Sequence, residues 1–334
     1  MKNLYPYIRI FLSPKNKGRL SYFIIKTGLK PSVNKKANSP FNKGIVVFSA
    51  DFEMAWAFRF SKTLSAKAID KGLEERKNLT VLLTLFEKYK IPVTWATVGH
   101  LFLNSCLKNE AGLPHPDMPR PAYFENKNWR FNEGDWYMHD PCTNFKTDQA
   151  WYAPDLVDKI LSSPVGHEFG CHTFSHIDFT YRNCPKSLAD AELDACIKLA
   201  EEKGIKLKSM VFPGGTLGNF ETLKEKGIIC YRKPGKYHID IPHIDKYGLV
   251  AIPSSLGLDK DPYGWPKEFH FKMIRNYLEK TAKYKMVCHF WFHPSMDQWY
   301  LENVMPEILK MVAEYHNSSE IQVKTMYDLA KIYI

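Results

Sequence analysis

The feature that most constrains this chain is the run Gly44-Ile-Val-Val-Phe-Ser-Ala50, almost wholly apolar, which gives way directly to acidic residues. It is too short for a buried helix and does not alternate, so it reads as a strand covered on both faces, the mark of a parallel sheet with helices on its flanks. The pattern then repeats. Leu79, Leu82, Leu83, Phe86 and Tyr89 recur at helical spacing, and Pro92 stops that helix before Val-Thr-Trp-Ala-Thr-Val at 93–98 begins a second strand. Further strands are expected at 167–171, 209–212, 228–231, 249–252 and 286–292, with helices at 154–162, 187–203, 219–226, 268–284, 302–316 and 325–331. About seven parallel strands alternating with helices predict an α/β fold, a closed or nearly closed (β/α) barrel. Neither GxGxxG nor GxxxxGK[ST] occurs, so the chain lacks the glycines of a dinucleotide fold or a P-loop.

Charge divides the chain. Ten of its 46 basic residues fall within residues 1–43, where there is no acid, and beyond Lys43 the 36 remaining bases equal the 36 acids. The domains expected are therefore a basic N-terminal arm, 1–43, and one barrel, 44–334, carrying an aromatic-rich, aperiodic insert at about 104–151. A surplus confined to an arm argues against a nucleic-acid surface and leaves three readings: peripheral contact with anionic lipid through residues 1–43, a solvated tail, or a strap across the fold. The arm's apolar runs fall far short of the ~20 residues that span a bilayer, and Pro6, Arg9 and Pro14 interrupt the place of a signal-peptide core. Seven cysteines without a CxxC pair suggest reduced thiols. Together these give a cytoplasmic expectation, with contact at the inner membrane face.

Three stretches carry potential chemistry. In Gly-Cys-His-Thr-Phe-Ser-His, His172 and His176 stand four apart just past an expected strand, where two imidazoles can converge on one divalent ion. In Ser-Ala-Asp-Phe-Glu, Asp51 and Glu53 are two apart on an extended segment and so face the same way. Acids directly after an apolar strand are costly to bury unless a cation compensates them. In Cys-His-Phe-Trp-Phe-His-Pro, His293 stands at the strand tip, suited to acid–base work, while the deeper His289 reads as a core histidine. The ends of parallel strands are where α/β folds build their sites.

Taken in order, these motifs resemble the polysaccharide deacetylase family, carbohydrate esterase family 4, from about Gly44 to the end. The resemblance implies a distorted (β/α) barrel, a divalent metal, usually zinc, and hydrolytic removal of N- or O-acetyl groups from a glycan or an acetylated amino sugar. It makes Asp51 the general base, His172 and His176 metal ligands, and His293 the acid that protonates the leaving group. Val-Phe-Pro-Gly-Gly at 211–215 occupies the third motif. Two departures stand out. Where two adjacent aspartates are usual, Phe52 fills the second slot and Glu53 follows, as in a branch with a spaced D-x-E motif. Glu53 is then the third ligand, with the swapped assignment of Asp51 and Glu53 left open. The arginine that normally orients the base is replaced by Gly214 and Gly215, and Arg232 is a candidate substitute. Two rivals share the residues: an amidohydrolase acting on a cyclic imide or ureide, and a non-catalytic glycan-binding barrel. Trp56, Trp265, Trp291 and the insert's aromatics are candidates for stacking on sugar faces.

Overall fold

A computed structural model describes residues 29–35, 37–259 and 264–334. Nine parallel strands, β1 Gly44–Phe52, β2 Thr94–Thr97, β3 Glu168–Cys171, β4 Ser209–Met210, β5 Cys230–Lys233, β6 Val250–Pro253, β7 Leu256–Gly257, β8 Val287–Phe292 and β9 Ile321–Lys324, form one curled sheet. Its order is β6-β5-β4-β3-β2-β1-β8-β7, with the short antiparallel strand His243–Ile244 on the outer edge of β6. This is a distorted (β/α) barrel.

The central strand is β1, buried at all nine positions. Along one side it pairs with β8 from Ile45 to Ala50; along the other, Gly44–Val47 pair with β9 and Ser49–Phe52 with β2. Gly44 opens it because a Cβ there would lie 2.6 Å from the Thr281 carbonyl oxygen. The first helix, α1 Ala68–Tyr89, ends on Lys90 in the left-handed region, two residues before Pro92. Its Phe86 stacks on Phe292 of β8 at 5.8 Å and meets Phe48 of β1 edge-on at 5.7 Å, which clamps helix to sheet. The remaining helices are α2 Pro154–Leu161, α3 Lys186–Glu201, α4 Phe220–Glu225, α5 Lys267–Tyr284, α6 Gln298–Asn303, α7 Met305–Asn317 and α8 Met326–Ala330. The single helix expected at 302–316 is two, because Pro306 starts α7 and leaves Val304 as the joint.

All seven expected strands are present. The two strands of the parallel sheet not foreseen, β7 and β9, have weak signals: β7 is two residues long, and β9 alternates Gln and Lys with its apolar positions.

The 104–151 segment folds without an α-helix around buried Phe124, Trp129, Phe131, Trp136 and Tyr137, with one two-stranded ribbon, Phe124–Glu125 against Arg130–Phe131. Of the basic arm, residues 1–28 and Lys36 lie outside the described residues. The rest runs along the barrel: Leu29 and Phe41 are buried, and Ser32–Val33 pair in parallel with His238–Ile239. Among the described residues, no helix is long and apolar enough to cross a membrane. All seven cysteines are free thiols.

Candidate active site

The C-terminal ends of β1, β3, β5 and β8 surround a cavity of about 560 Å³, in the size range of small-molecule sites. Asp51 and Glu53 come from the end of β1, His176 from the loop after β3, Arg232 from β5 and His293 from just beyond β8; all five line it.

Glu53 is the hub. Its Oε2 lies 3.1 Å from His172 Nε2 and 3.0 Å from His176 Nε2, and its Oε1 is 3.5 Å from His293 Nε2. His293 Nε2 is also 3.7 Å from Asp51 Oδ2, so the ring sits between the two acids. Burial pushes the Glu53 carboxyl up, but the surrounding His293, His176 and His172 outweigh it and hold the group well below the usual range. His172, fully buried, places Nδ1 2.7 Å from the Val211 carbonyl oxygen. A carbonyl accepts only, so Nδ1 donates to it and Nε2 is the nitrogen turned to Glu53. A cation held between Nε2 and the carboxylate would be bound by both. The donor set of two imidazoles and a carboxylate fits a zinc-like divalent ion.

Asp51 converges with Glu53 on His293 but takes a different partner. Arg232 Nη1 and Nη2 donate to its Oδ1 and Oδ2 at 2.5 and 2.6 Å, and Nη1 also reaches Ser49 Oγ at 3.0 Å. Burial raises the Asp51 carboxyl, but this guanidinium more than offsets it and holds the group below its ordinary value. Arg232 is itself braced 4.9 Å over the Trp291 ring. The third-motif slot at Gly214 is thus left without an arginine, while the partner of Asp51 arrives from the next strand.

The loop carrying the histidines is strained and heavily braced. Thr173 and His176 both have left-handed backbones, with φ of 60° and 55°. Ser175 between them donates its N–H and hydroxyl to the Glu192 carboxylate at 2.8 and 2.6 Å and accepts from Trp136 Nε1 at 2.8 Å, and its carbonyl accepts from Arg59 Nη2 at 2.7 Å. Gly99 and His100 donate backbone N–H groups to Thr173 and Phe174. These bonds over-determine a conformation that the side chains alone disfavour.

Sequence reasoning did not find several of these partners. Glu75 of α1 accepts the Glu53 N–H at 2.9 Å, and Ser49 joins Arg232 to His289, whose Nε2 lies 2.8 Å from the hydroxyl. His289 is indeed fully buried. Trp129 of the insert meets His176 edge-on at 5.1 Å and lines the cavity, as does Trp291. Trp56 and Trp265, by contrast, are core residues: Trp56 packs against Trp151 and His100, and Trp265 against Phe269.

No family model matches the chain, and no curated protein matches it by sequence. Solved structures do. A protein from Mycobacterium smegmatis assigned as a polysaccharide deacetylase superposes with a TM-score of 0.60 at 15% identity, over 91% of this chain and 94% of that one. A second, from Pseudomonas aeruginosa PAO1 and also assigned as a polysaccharide deacetylase, gives 0.55 at 15% identity over 86% and 89%. The architecture expected from the motifs is therefore the one observed.

Proposed function

We propose that this protein is a metal-dependent carbohydrate deacetylase that hydrolyses an N- or O-acetyl group on a glycan or an acetylated amino-sugar precursor. One observation carries the reading: two imidazole nitrogens from the β3 loop and a carboxylate oxygen from the β1 tip converge within about 3 Å at the floor of an open cavity. Glu53, His172 and His176 would hold the ion, and a divalent ion there supplies Lewis acidity toward the acetyl carbonyl and a more acidic water. The two acids then have separate tasks. Glu53 faces both histidines, whereas Asp51 has both oxygens on Arg232, which keeps it ionised and fixes its direction as a base. Asp51 takes the proton of the attacking water. His293, half exposed at the cavity edge, returns a proton to the departing amine or alkoxide, because an unprotonated amide nitrogen leaves poorly. The Arg232 pairing also removes the main ground for a non-catalytic barrel, the missing arginine. Trp129 and Trp291 flank the cavity and suit sugar faces.

The polysaccharide deacetylase assignments of the two similar structures support the substrate class. The test is deacetylation of acetylated amino-sugar donors and oligosaccharides beside metal quantification. His172→Ala and His176→Ala are expected to lose both the bound ion of this site and hydrolysis; full activity in either variant refutes the assignment. The basic arm is proposed to hold the enzyme against anionic lipid at the cytoplasmic face, near a lipid- or nucleotide-linked precursor. Equal pelleting with anionic liposomes, with and without residues 1–28, would overturn that placement.

A further inference from the structure

A second cluster of donors lies where the insert joins the barrel. His100, in the short turn after β2, and Cys106, His115 and Asp140 of the insert offer one donor atom each, all within 4.8 Å of one another. Asp140 Oδ2 is 2.7 Å from His115 Nε2, 2.9 Å from His100 Nε2 and 3.3 Å from Cys106 Sγ. The other oxygen, Oδ1, accepts from the Cys142 N–H and the Tyr152 hydroxyl, both at 2.9 Å, which fixes the carboxylate's orientation. Both side chains at the centre, His100 and Asp140, are fully buried.

The decisive detail is that both ring nitrogens of His100 face acceptors. Its Nδ1 lies 3.2 Å from the Trp151 carbonyl oxygen and its Nε2 2.9 Å from Asp140 Oδ2, so a neutral ring, with one N–H, satisfies only one of them. The arrangement repeats that of His172, whose Nδ1 is held by a carbonyl while Nε2 faces Glu53. In both places a cation bound at Nε2 would be shared by the ring and the carboxylate. His115 is also held in the left-handed region, φ 43°, as residues are where a ligand geometry overrides backbone preference.

We infer that His100, Cys106, His115 and Asp140 form a second, structural zinc site that pins the aromatic insert to the barrel. Two imidazoles, a carboxylate and a thiolate complete a tetrahedral set with no position left for water, the closed form of a structural site. Tetrahedral bonds of about 2.0–2.3 Å put ligand atoms about 3.3–3.8 Å apart, so the cluster opens by only a few tenths of an ångström around His100 and His115 to admit the ion. The thiolate selects zinc over magnesium or calcium. Binding ties three points of the insert to the end of β2, and the insert carries Trp129, the cavity wall beside His176. This site is independent of the hydrolase reading.

The test uses the full chain, stripped of metal and reloaded with zinc or cobalt under a phosphine reductant that keeps Cys106 and Cys142 as thiols. Wild type is expected to bind two equivalents, and Cys106→Ser and His176→Ala one each. The cobalt form of wild type and of His176→Ala should show thiolate-to-cobalt charge-transfer absorption that Cys106→Ser lacks. The equivalent kept by His176→Ala should raise its Tm, and Cys106→Ser should lose that gain. A single equivalent in wild type without thiolate absorption overturns the inference and leaves Asp140 as a hydrogen-bond hub. A second equivalent untouched by Cys106→Ser overturns it as well.

Discussion

Arg232 of β5 grips both oxygens of Asp51 across the barrel mouth, at 2.5 and 2.6 Å, and reaches Ser49 on the same strand as Asp51. Residues 181 apart in sequence thereby act as one group. Arg232→Gln keeps a donor but loses the charge and the fork. Activity should fall about 10–100-fold, the usual effect of removing such an orienting partner. Because the guanidinium holds Asp51 below its ordinary value, its loss raises the Asp51 carboxyl, so the acidic limb of kcat/KM moves to higher pH. Bound metal should be unchanged. An unmoved acidic limb would mean that Asp51 is not the base.

Glu75 lies beneath the site in surroundings that favour its neutral form. Burial above all, then the neighbouring Glu53, pushes it well above the usual range while it accepts the Glu53 N–H. The folded state thus keeps a proton that the unfolded chain releases above about pH 4.5, which costs stability progressively as pH rises. Glu75→Gln mimics the neutral form. It should raise Tm at neutral pH, with the gain vanishing below about pH 4.5. Thermal melts of both proteins across that range decide it.

Much of this architecture is legible in the sequence, and the reason is local. Continuous apolar runs such as 44–50 and 286–292 and a helical stripe such as 79–89 state their structure within a dozen residues, and donors just past strands mark the site. What escapes depends on distance. Glu75 sits in Glu-Glu-Arg-Lys, which reads as a solvated helix face, and only packing against β1 buries it. Arg232 is recoverable by asking what replaces a missing arginine, but its aim is not. The donors at 100, 106, 115 and 140 follow no short motif spacing, and the one available signal was that histidine, cysteine and acid recur in a stretch too aromatic to be disordered.

Gly214 and Trp129 define the cavity wall together. Gly214 has φ 56°, and a Cβ there would lie 2.7 Å from the Trp129 ring. Gly214→Ala therefore combines backbone strain of about 1–2 kcal/mol with a clash that displaces the indole. Stability should fall by at least the strain component and KM should rise. In a Trp129→Ala background the same substitution should cost only the strain component, and the coupling appears in a double-mutant cycle. Strict additivity of the two substitutions would show that the ring and the turn are not in contact.

His167 lies away from the site, at the start of β3, and reports on acid stability. Its Nδ1 accepts the Val93 N–H at 3.1 Å, and burial pushes the imidazole down to about 4. The unfolded chain takes up this proton near pH 6.5, the folded chain only near 4. Between those values the unfolded state binds more protons, so stability declines as pH falls from about 6.5 to about 4 and levels off below, a loss on the order of 2 kcal/mol from this residue. His167→Gln keeps a side-chain acceptor for Val93 but cannot take up the proton, so its stability should fall less over that window. Parallel denaturant titrations at pH 7, 5.5 and 4.5 measure the difference, and equal slopes with pH would show that His167 is already protonated in the folded protein.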